Sequence, residues 1–167
     1  FGLNIPKEYG GLGFSALMNH KVIQKLASIS SVVSSTVGVP NSLGPAELLM
    51  HYGTEEQKQQ YLPRLADGRD VPCFALTGPF AGSDATSQKP TAVDMGDYYL
   101  LNGTKNWITN GNTAGTYLVI AQTHPEKMHK GINCLIVDRH APGISVGPHE
   151  DKMGMRSSDT HSVMFTD

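Results

Sequence analysis

The character of the sequence changes near residue 70, and this change most limits the folds that the chain can adopt. Before it, apolar residues recur at helical spacing, since Met18, Val22, Leu26 and Ile29 fall on one stripe of a helix. After it, short apolar or β-branched runs alternate with Gly, Asn, Asp or Pro, as is typical of strands joined by turns. The sequence therefore predicts an α+β fold, with a short helical segment over 1–70 followed by an antiparallel, β-barrel-like domain over 71–167.

Capping signals predict three helices in the first segment. Ser15 is the expected N-cap of the first helix, which weakens over the Ser- and Val-rich residues 30–36. A turn over 41–45 precedes a short helix over 45–51, whose first residue is a proline. The capping-box pattern Thr-Glu-Glu-Gln predicts a third helix over 55–66.

The second segment contains seven strand-like runs. The dipeptide Asn102-Gly103 between two of them predicts a tight hairpin turn. Such short strands at close spacing favour a barrel or sandwich. The predicted strands are 73–77, 98–101, 105–109, 116–123, 132–138, 144–146 and 163–165.

Charge and hydropathy exclude several classes of protein. The chain carries 13 Lys and Arg against 15 Asp and Glu, so it has no basic excess for nucleic acid. No apolar run approaches the ~18 residues of a membrane span. The seven histidines show no metal-ligand spacing, so no metal site is predicted. Cys73 and Cys134 lie in apolar runs and are predicted to be buried free thiols.

Residues 74–84 form the first candidate site. A hydrophobic strand ends at Thr77, and a loop rich in Gly and Pro follows it. Small residues, hydroxyls and main-chain N–H groups at a strand end can hold a phosphate or the polar edge of a ring. The alternative interpretation is an ordinary turn.

Residues 105–110 form the second candidate site. The only tryptophan of the chain, Trp107, precedes Thr109 by two residues, which places both on one face of a strand. An aromatic plane beside a hydroxyl suits a flat heteroaromatic cofactor. The alternative is that Trp107 fills the core of the β domain.

A third segment, 150–160, mixes charges with a glycine and several hydroxyls. It is interpreted as a solvated connector that contains a salt bridge. His161, which follows Asp159 and Thr160, is interpreted as a strand-edge residue and not as a catalytic base.

Four segments of the chain resemble motifs of the acyl-CoA dehydrogenase family, in the family's order. They are 5–13, 74–84, 102–110 and 150–156. The first half is similar to the bacterial long-chain enzyme, and the second half to short-chain, butyryl-CoA-type dehydrogenases. Gly78 departs from the pattern, because most members carry a glutamate there.

The resemblance implies an FAD site in the β domain. Thr77 would hydrogen-bond the pyrimidine end of the flavin, and Gly82 and Ser83 would meet the pyrophosphate. Ser83 would also lie near the acyl-CoA substrate. Trp107 would cover one face of the ring, and Thr109 would donate to N5, the atom that receives the hydride. The residues implied to bind the cofactor are Phe74, Leu76, Thr77, Gly82, Ser83, Trp107, Ile108 and Thr109.

The resemblance also implies an activity for the whole protein. Members oxidise a fatty acyl-CoA to the trans-2-enoyl-CoA in β-oxidation and pass electrons to an electron-transfer flavoprotein. The catalytic base is a glutamate of the C-terminal helical domain, so it is expected beyond Asp167, and no catalytic residue is assigned within the chain. The chain is therefore expected to be a partial enzyme that lacks the C-terminal helical bundle and is inactive alone.

Other expectations follow from the same family. The full-length form is expected to be a tetramer or a dimer. The expected location is the bacterial cytoplasm, or alternatively the mitochondrial matrix. Two alternatives for function stay open: an acyl-CoA oxidase or flavin monooxygenase on the same fold, and a non-catalytic flavin-binding or structural remnant.

Overall fold

Four α-helices precede seven β-strands in the computed structural model, which describes residues 1–42 and 44–167, without the side chains of residues 40–42. Two compact units divide the chain. The first contains Phe1–Pro72 with Lys152–Ser158, and the second contains Cys73–Asp151 with Asp159–Asp167.

Three of the helices in the first unit begin where the capping signals predict. Met18 N donates to the Ser15 hydroxyl at 3.4 Å, and a capping box joins Thr54 to Gln57. Pro45 is the first residue of its helix, where a missing N–H costs nothing. The helices are α1 (Ala16–Ala27), α2 (Ser31–Ser42), α3 (Pro45–Tyr52) and α4 (Glu55–Ala66).

The prediction of three helices is wrong, because residues 30–36 contribute to a separate helix, α2. The Ser30 hydroxyl accepts a hydrogen bond from Val33 N at 3.3 Å, and the Thr36 hydroxyl donates to Val32 O at 2.9 Å. The hydroxyls thus satisfy main-chain groups within the helix. Within the turn predicted over 41–45, α2 extends through Ser42, and Leu43 lies outside the described residues.

The apolar stripe predicted for α1 is only partly buried. Met18 is 44% exposed and Ile29, beyond the end of the helix, is 81% exposed. The residue of α1 that is buried is instead Asn19. Helical spacing therefore predicted the helix correctly but did not predict which of its residues are buried.

Seven strands form one sheet in the second unit. Their order is β1-β4-β2-β3-β7-β6, with β5 paired to β4. The α+β class is confirmed, but the sheet is mixed and not wholly antiparallel, because β4 pairs in parallel with β1 and β2. The strands are β1 (Cys73–Ala75), β2 (Thr91–Asp94), β3 (Tyr99–Thr109), β4 (Thr116–Gln122), β5 (Ile132–Asp138), β6 (Ile144–His149) and β7 (Thr160–Phe165).

The hairpin predicted at Asn102-Gly103 is wrong, because both residues lie in the middle of β3. The tight turn falls earlier, where Met95 N donates to Tyr98 O at 2.9 Å. Gly103 is required for a different reason. A Cβ there would lie 2.6 Å from the Pro90 Cβ, and its φ of +142° is one that other residues rarely adopt.

The core of the second unit is a single apolar cluster in which Tyr117 and Phe165 meet edge to face at 6.4 Å. Both cysteines are free thiols, as predicted. Cys73 is buried in the core, but Cys134 is exposed on β5, so its predicted burial is wrong. The cluster contains Cys73, Ala75, Ile108, Ala114, Tyr117, Val119, Val163 and Phe165.

Within the described residues, no helix has both the length and the apolar character needed to cross a bilayer.

Candidate functional site

The two candidate segments of the sequence lie side by side in the second unit. Asn106 N, on β3, donates to the Thr77 carbonyl oxygen at 2.9 Å. The neighbouring Lys105 Nζ donates to the Leu76 carbonyl oxygen at 2.8 Å. Two successive carbonyls that follow β1 are thus bonded by two successive residues of β3, and this places the loop after Thr77 beside Trp107.

The loop after Thr77 begins with a tight turn. Gly78 and Ala81 exchange main-chain hydrogen bonds of 3.0 and 3.3 Å. Gly82 and Ser83 follow and are exposed, and a Cβ added at Gly82 would meet nothing within 4 Å. The turn therefore presents a short stretch of small residues with open space beside it, as a phosphate-bearing ligand requires.

The carboxylate of Asp84 stabilises the rest of this loop. It accepts hydrogen bonds from the Ser87 hydroxyl and from both the hydroxyl and the main-chain N–H of Thr86. These bonds, the one from Ser87 above all, lower the pKa of the Asp84 carboxyl. Because its oxygens are engaged within the loop, Asp84 acts as a structural acceptor.

Trp107 is turned away from the core. It is 61% exposed and has a φ of +56°, which a residue other than glycine rarely adopts. The pairing of β3 with β7 shifts register between Lys105 and Ile108, so Trp107 sits in a β-bulge. A bulge re-aims side chains. The alternative in which Trp107 fills the core is therefore wrong.

Ile108 takes the core position instead. Its side chain is 2% exposed and belongs to the apolar cluster of the second unit. The Ile108 side chain therefore packs in the core, which leaves its main chain for any ligand contact. Strand alternation places Thr109 on the opposite face, away from the core.

Three hydroxyls near these segments have no hydrogen-bond partner among the described residues: those of Thr77, Ser83 and Thr109. Phe74 and Leu76 add half-buried apolar side chains on the same stretch. An exposed indole, unengaged hydroxyls and a small-residue loop together suit a ligand with a flat heteroaromatic ring and phosphates. The residues present therefore fit a flavin nucleotide.

Lys105 and Gln88 are parts of this region that the sequence did not single out as site residues. Lys105 is fully buried, and its Nζ donates to Gln88 Oε1 at 2.6 Å as well as to the Leu76 carbonyl. Burial lowers the pKa of Lys105 to about 8. Strand alternation could not predict this burial, because Lys105 and Ile108 are three residues apart and face the same side only through the bulge.

Asp159 and His161 form a second polar cluster, at the start of β7. The Asp159 carboxylate accepts from Asn112 N and from Thr113 N and Oγ1 at 3.0–3.1 Å. His161 is buried in β7 between β3 and β6, so the strand-edge interpretation is wrong. Its Nε2 lies 2.7 Å from Asp159 Oδ1 and its Nδ1 lies 2.8 Å from Gly147 O. Because both ring nitrogens are engaged, His161 stabilises the fold.

Burial alone would raise the pKa of the Asp159 carboxyl. The hydrogen bonds from Thr113 and Asn112, with the nearby His161, outweigh burial and lower the pKa.

In the part of the chain that the structure describes, no three His, Cys, Asp or Glu side chains form a group that could hold a metal ion.

Of the solvated connector interpreted over 150–160, residues 153–157 are exposed, whereas Ser158 and Thr160 are buried. Lys152 Nζ donates to Ser158 O at 2.6 Å, and Arg156 Nη1 donates to Lys152 O at 2.9 Å. Met153 between them is fully exposed. The salt bridge expected in this segment stays a prediction.

Comparisons with known proteins match both halves of the chain. Residues 73–167 match the family model described as acyl-CoA dehydrogenase, middle domain, and residues 1–69 match the N-terminal domain. An acyl-CoA dehydrogenase of Bacillus subtilis is 40% identical over 98% of this chain and 43% of its own length. A caffeyl-CoA reductase–Etf complex subunit of Acetobacterium woodii is 41% identical over the whole chain and 44% of its own length.

Solved structures agree with the same assignment. Butyryl-CoA dehydrogenase of Megasphaera elsdenii matches with a TM-score of 0.94 and 36% identity, over 99% of this chain and 44% of that protein. An acyl-CoA dehydrogenase of Bacillus anthracis, solved in complex with FAD, matches with a TM-score of 0.89 and 34% identity, over 99% of this chain and 28% of that protein. The chain thus spans less than half the length of these relatives.

Proposed function

The chain belongs to the acyl-CoA dehydrogenase family of FAD-dependent oxidoreductases, and we propose that its protein oxidises a fatty acyl-CoA to the trans-2-enoyl-CoA. The predicted family, the α+β fold and FAD as the cofactor are confirmed by the family models and the matched structures. The reaction, the substrate and the partner concern the whole protein and are proposals.

The observation that carries the proposal is the hydrogen bond from Asn106 N to Thr77 O, which joins the two candidate segments. In the proposal, the exposed Trp107 covers one face of the flavin. The hydroxyls of Thr77 and Thr109 bond the polar edges of the ring. When bound, FAD supplies the acceptor for the hydride that leaves the substrate.

The loop after Thr77 binds the phosphate side of the cofactor in this proposal. Gly82 and Ser83 offer main-chain N–H groups, and the space beside Gly82 is open, since a Cβ added there would meet nothing within 4 Å. Ser83 also contacts the acyl-CoA. Phe74 and Leu76 pack against the ring, and Ile108 contributes main-chain contacts alone because its side chain is in the core.

The rest of the proposal concerns the protein as a whole. Electrons pass to an electron-transfer flavoprotein, and the A. woodii relative named as part of a reductase–Etf complex supports this partner. The catalytic glutamate lies outside residues 1–167. The physiological role is fatty-acid β-oxidation in the bacterial cytoplasm, by a tetramer or a dimer.

A second candidate is the reverse reaction, reduction of an enoyl-CoA. The 41% identity to the A. woodii caffeyl-CoA reductase subunit over the whole chain favours it. The same flavin site would serve both directions, because dehydrogenation of the acyl-CoA and reduction of the enoyl-CoA are the forward and reverse directions of one reaction.

An anaerobic titration of the purified full-length protein separates these candidates. We expect saturated acyl-CoA thioesters of increasing length to bleach the visible flavin absorbance and to yield enoyl-CoA. Reoxidation of the bleached flavin should be fast with electron-transfer flavoprotein and slow in air. Rapid peroxide formation in air would instead indicate an oxidase. Failure of every saturated thioester to bleach the flavin, with rapid reoxidation of reduced flavin by enoyl-CoA, would favour the reductase.

A further inference from the structure

The ammonium of Lys105 is buried without an acidic partner. The residue is fully buried in β3, and no carboxylate of the described residues pairs with it. Its two partners are neutral oxygens, the Leu76 carbonyl at 2.8 Å and Gln88 Oε1 at 2.6 Å. A buried charge that lacks a counter-ion is costly, and an apolar side chain of similar volume would serve packing alone. Packing of the fold alone therefore does not explain a lysine at position 105.

The first of these partners, the Leu76 carbonyl, lies just beyond the last residue of β1 that is paired in the sheet. The pairing of β1 with β4 ends at Ala75, so Leu76 and Thr77 follow the last paired residue of β1. Lys105 Nζ bonds the Leu76 carbonyl, and Asn106 N bonds the next carbonyl, that of Thr77. The ammonium thus helps to attach the segment after β1 to β3, a strand with which β1 itself does not pair.

The second partner belongs to the loop that carries Gly82 and Ser83. Gln88 is buried, and its Nε2 donates to Ala85 O at 2.9 Å while its Oε1 accepts from Lys105. The same ammonium therefore bonds the segment that ends in Thr77 and the far side of the loop that follows it. Hydrogen bonds to a charged donor are stronger than neutral ones, which suits a fixed geometry.

We propose that Lys105 is a positioning residue for FAD: it holds the Leu76–Thr77 segment and the 82–88 loop at a fixed separation through Leu76 O and Gln88 Oε1. It acts through these groups and not by contact with the cofactor. This inference rests on the proposed flavin site, and it adds the hydrogen bonds of Lys105 as the contacts that set the shape of that site.

The test compares Lys105→Met with Lys89→Met in the full-length protein. Lys89 is exposed, lies next to Gln88 and has no partner among the described residues, so its variant is a matched loss of one charge. We expect Lys105→Met to weaken FAD binding about tenfold or more and to change the visible circular dichroism of the bound flavin. Lys89→Met should match the wild type in both.

Thermal unfolding of the apo forms separates positioning from general stability. A Lys105→Met protein that is destabilised, yet binds FAD with the wild-type affinity and flavin dichroism, overturns the inference. If Lys105→Met does not fold, Gln88→Leu removes one of the two anchors and must change the flavin dichroism, and an unchanged signal overturns the inference. A wild-type protein that binds no FAD overturns the proposed function as well, whereas a normal wild type with normal variants overturns the positioning role alone.

Discussion

The main-chain N–H of Asn106 donates to the carbonyl oxygen of Thr77 at 2.9 Å, and this bond joins two segments that are separated by β2 and most of β3. On one side of it lies an exposed indole, Trp107, and on the other a loop that begins at Gly78 and contains Gly82 and Ser83. The second unit thereby places an exposed aromatic side chain beside a glycine-containing loop.

Replacing Trp107 should weaken FAD binding without lowering the stability of the protein. The side chain is 61% exposed, so Trp107→Ala should change the free energy of unfolding of the apo protein by no more than about 0.5 kcal/mol. FAD occupancy after gel filtration should fall strongly. The φ of +56° offers a matched control: Trp107→Gly should lose FAD equally but be about 1 kcal/mol more stable than Trp107→Ala. Full FAD occupancy in both variants would contradict the role of the indole.

The neighbouring Ile108 should behave in the opposite way. Because its side chain lies in the apolar cluster, Ile108→Ala should destabilise the protein by about 2–5 kcal/mol in chemical denaturation. Ile29→Ala is the control, since Ile29 is exposed and its truncation should be nearly neutral. Equal effects of the two truncations would contradict the assignment of Ile108 to the core.

A side chain at Gly103 should destabilise the protein. In Gly103→Ala the new Cβ would lie 2.6 Å from the Pro90 Cβ, on a backbone with a φ of +142°. We expect a loss of about 2 kcal/mol or more in the free energy of unfolding. Gly154→Ala is the control, because a Cβ there meets nothing within 4 Å, and its stability should match the wild type. A Gly103→Ala protein of wild-type stability would argue against the packing of Pro90 on β3.

Asp159 should make folding sensitive to acid. Its pKa is lower in the folded protein than in the unfolded chain, whose carboxyl titrates near ~3.9. Its stabilising effect is therefore complete above that pH and is lost as the pH falls through the folded value. Asp159→Asn should destabilise the protein at pH values near ~7 and less near ~3. The exposed Asp97→Asn is the control, and an equal loss for Asp159→Asn at both pH values would contradict this assignment.

Local signals in the sequence were sufficient for several elements. Ser15 and the Thr54–Gln57 capping box place the starts of α1 and α4 because a cap is made within four residues. The family motifs likewise singled out residues 74–84 and 102–110, which the structure brings side by side. These features depend on neighbours in sequence, so a single sequence is enough to predict them.

The failures come from contacts between distant residues. Asn102-Gly103 carries a hairpin signal, but the glycine is there because Pro90 packs against it. The bulge between Lys105 and Ile108 reverses the alternation of β3, which buries a lysine and exposes Trp107. Cys134 lies in an apolar run, yet it is exposed on β5. None of these arrangements has a local signature in the chain.

Titration of the apo full-length protein with FAD, followed by tryptophan emission, tests the placement of Trp107 against a bound flavin. The difference in emission between the wild type and Trp107→Phe reports the indole that we place against the flavin. We expect saturable binding of one FAD per chain and strong quenching of that difference emission. Bound FAD that leaves the Trp107 emission unchanged, or no binding of FAD at all, would contradict this placement.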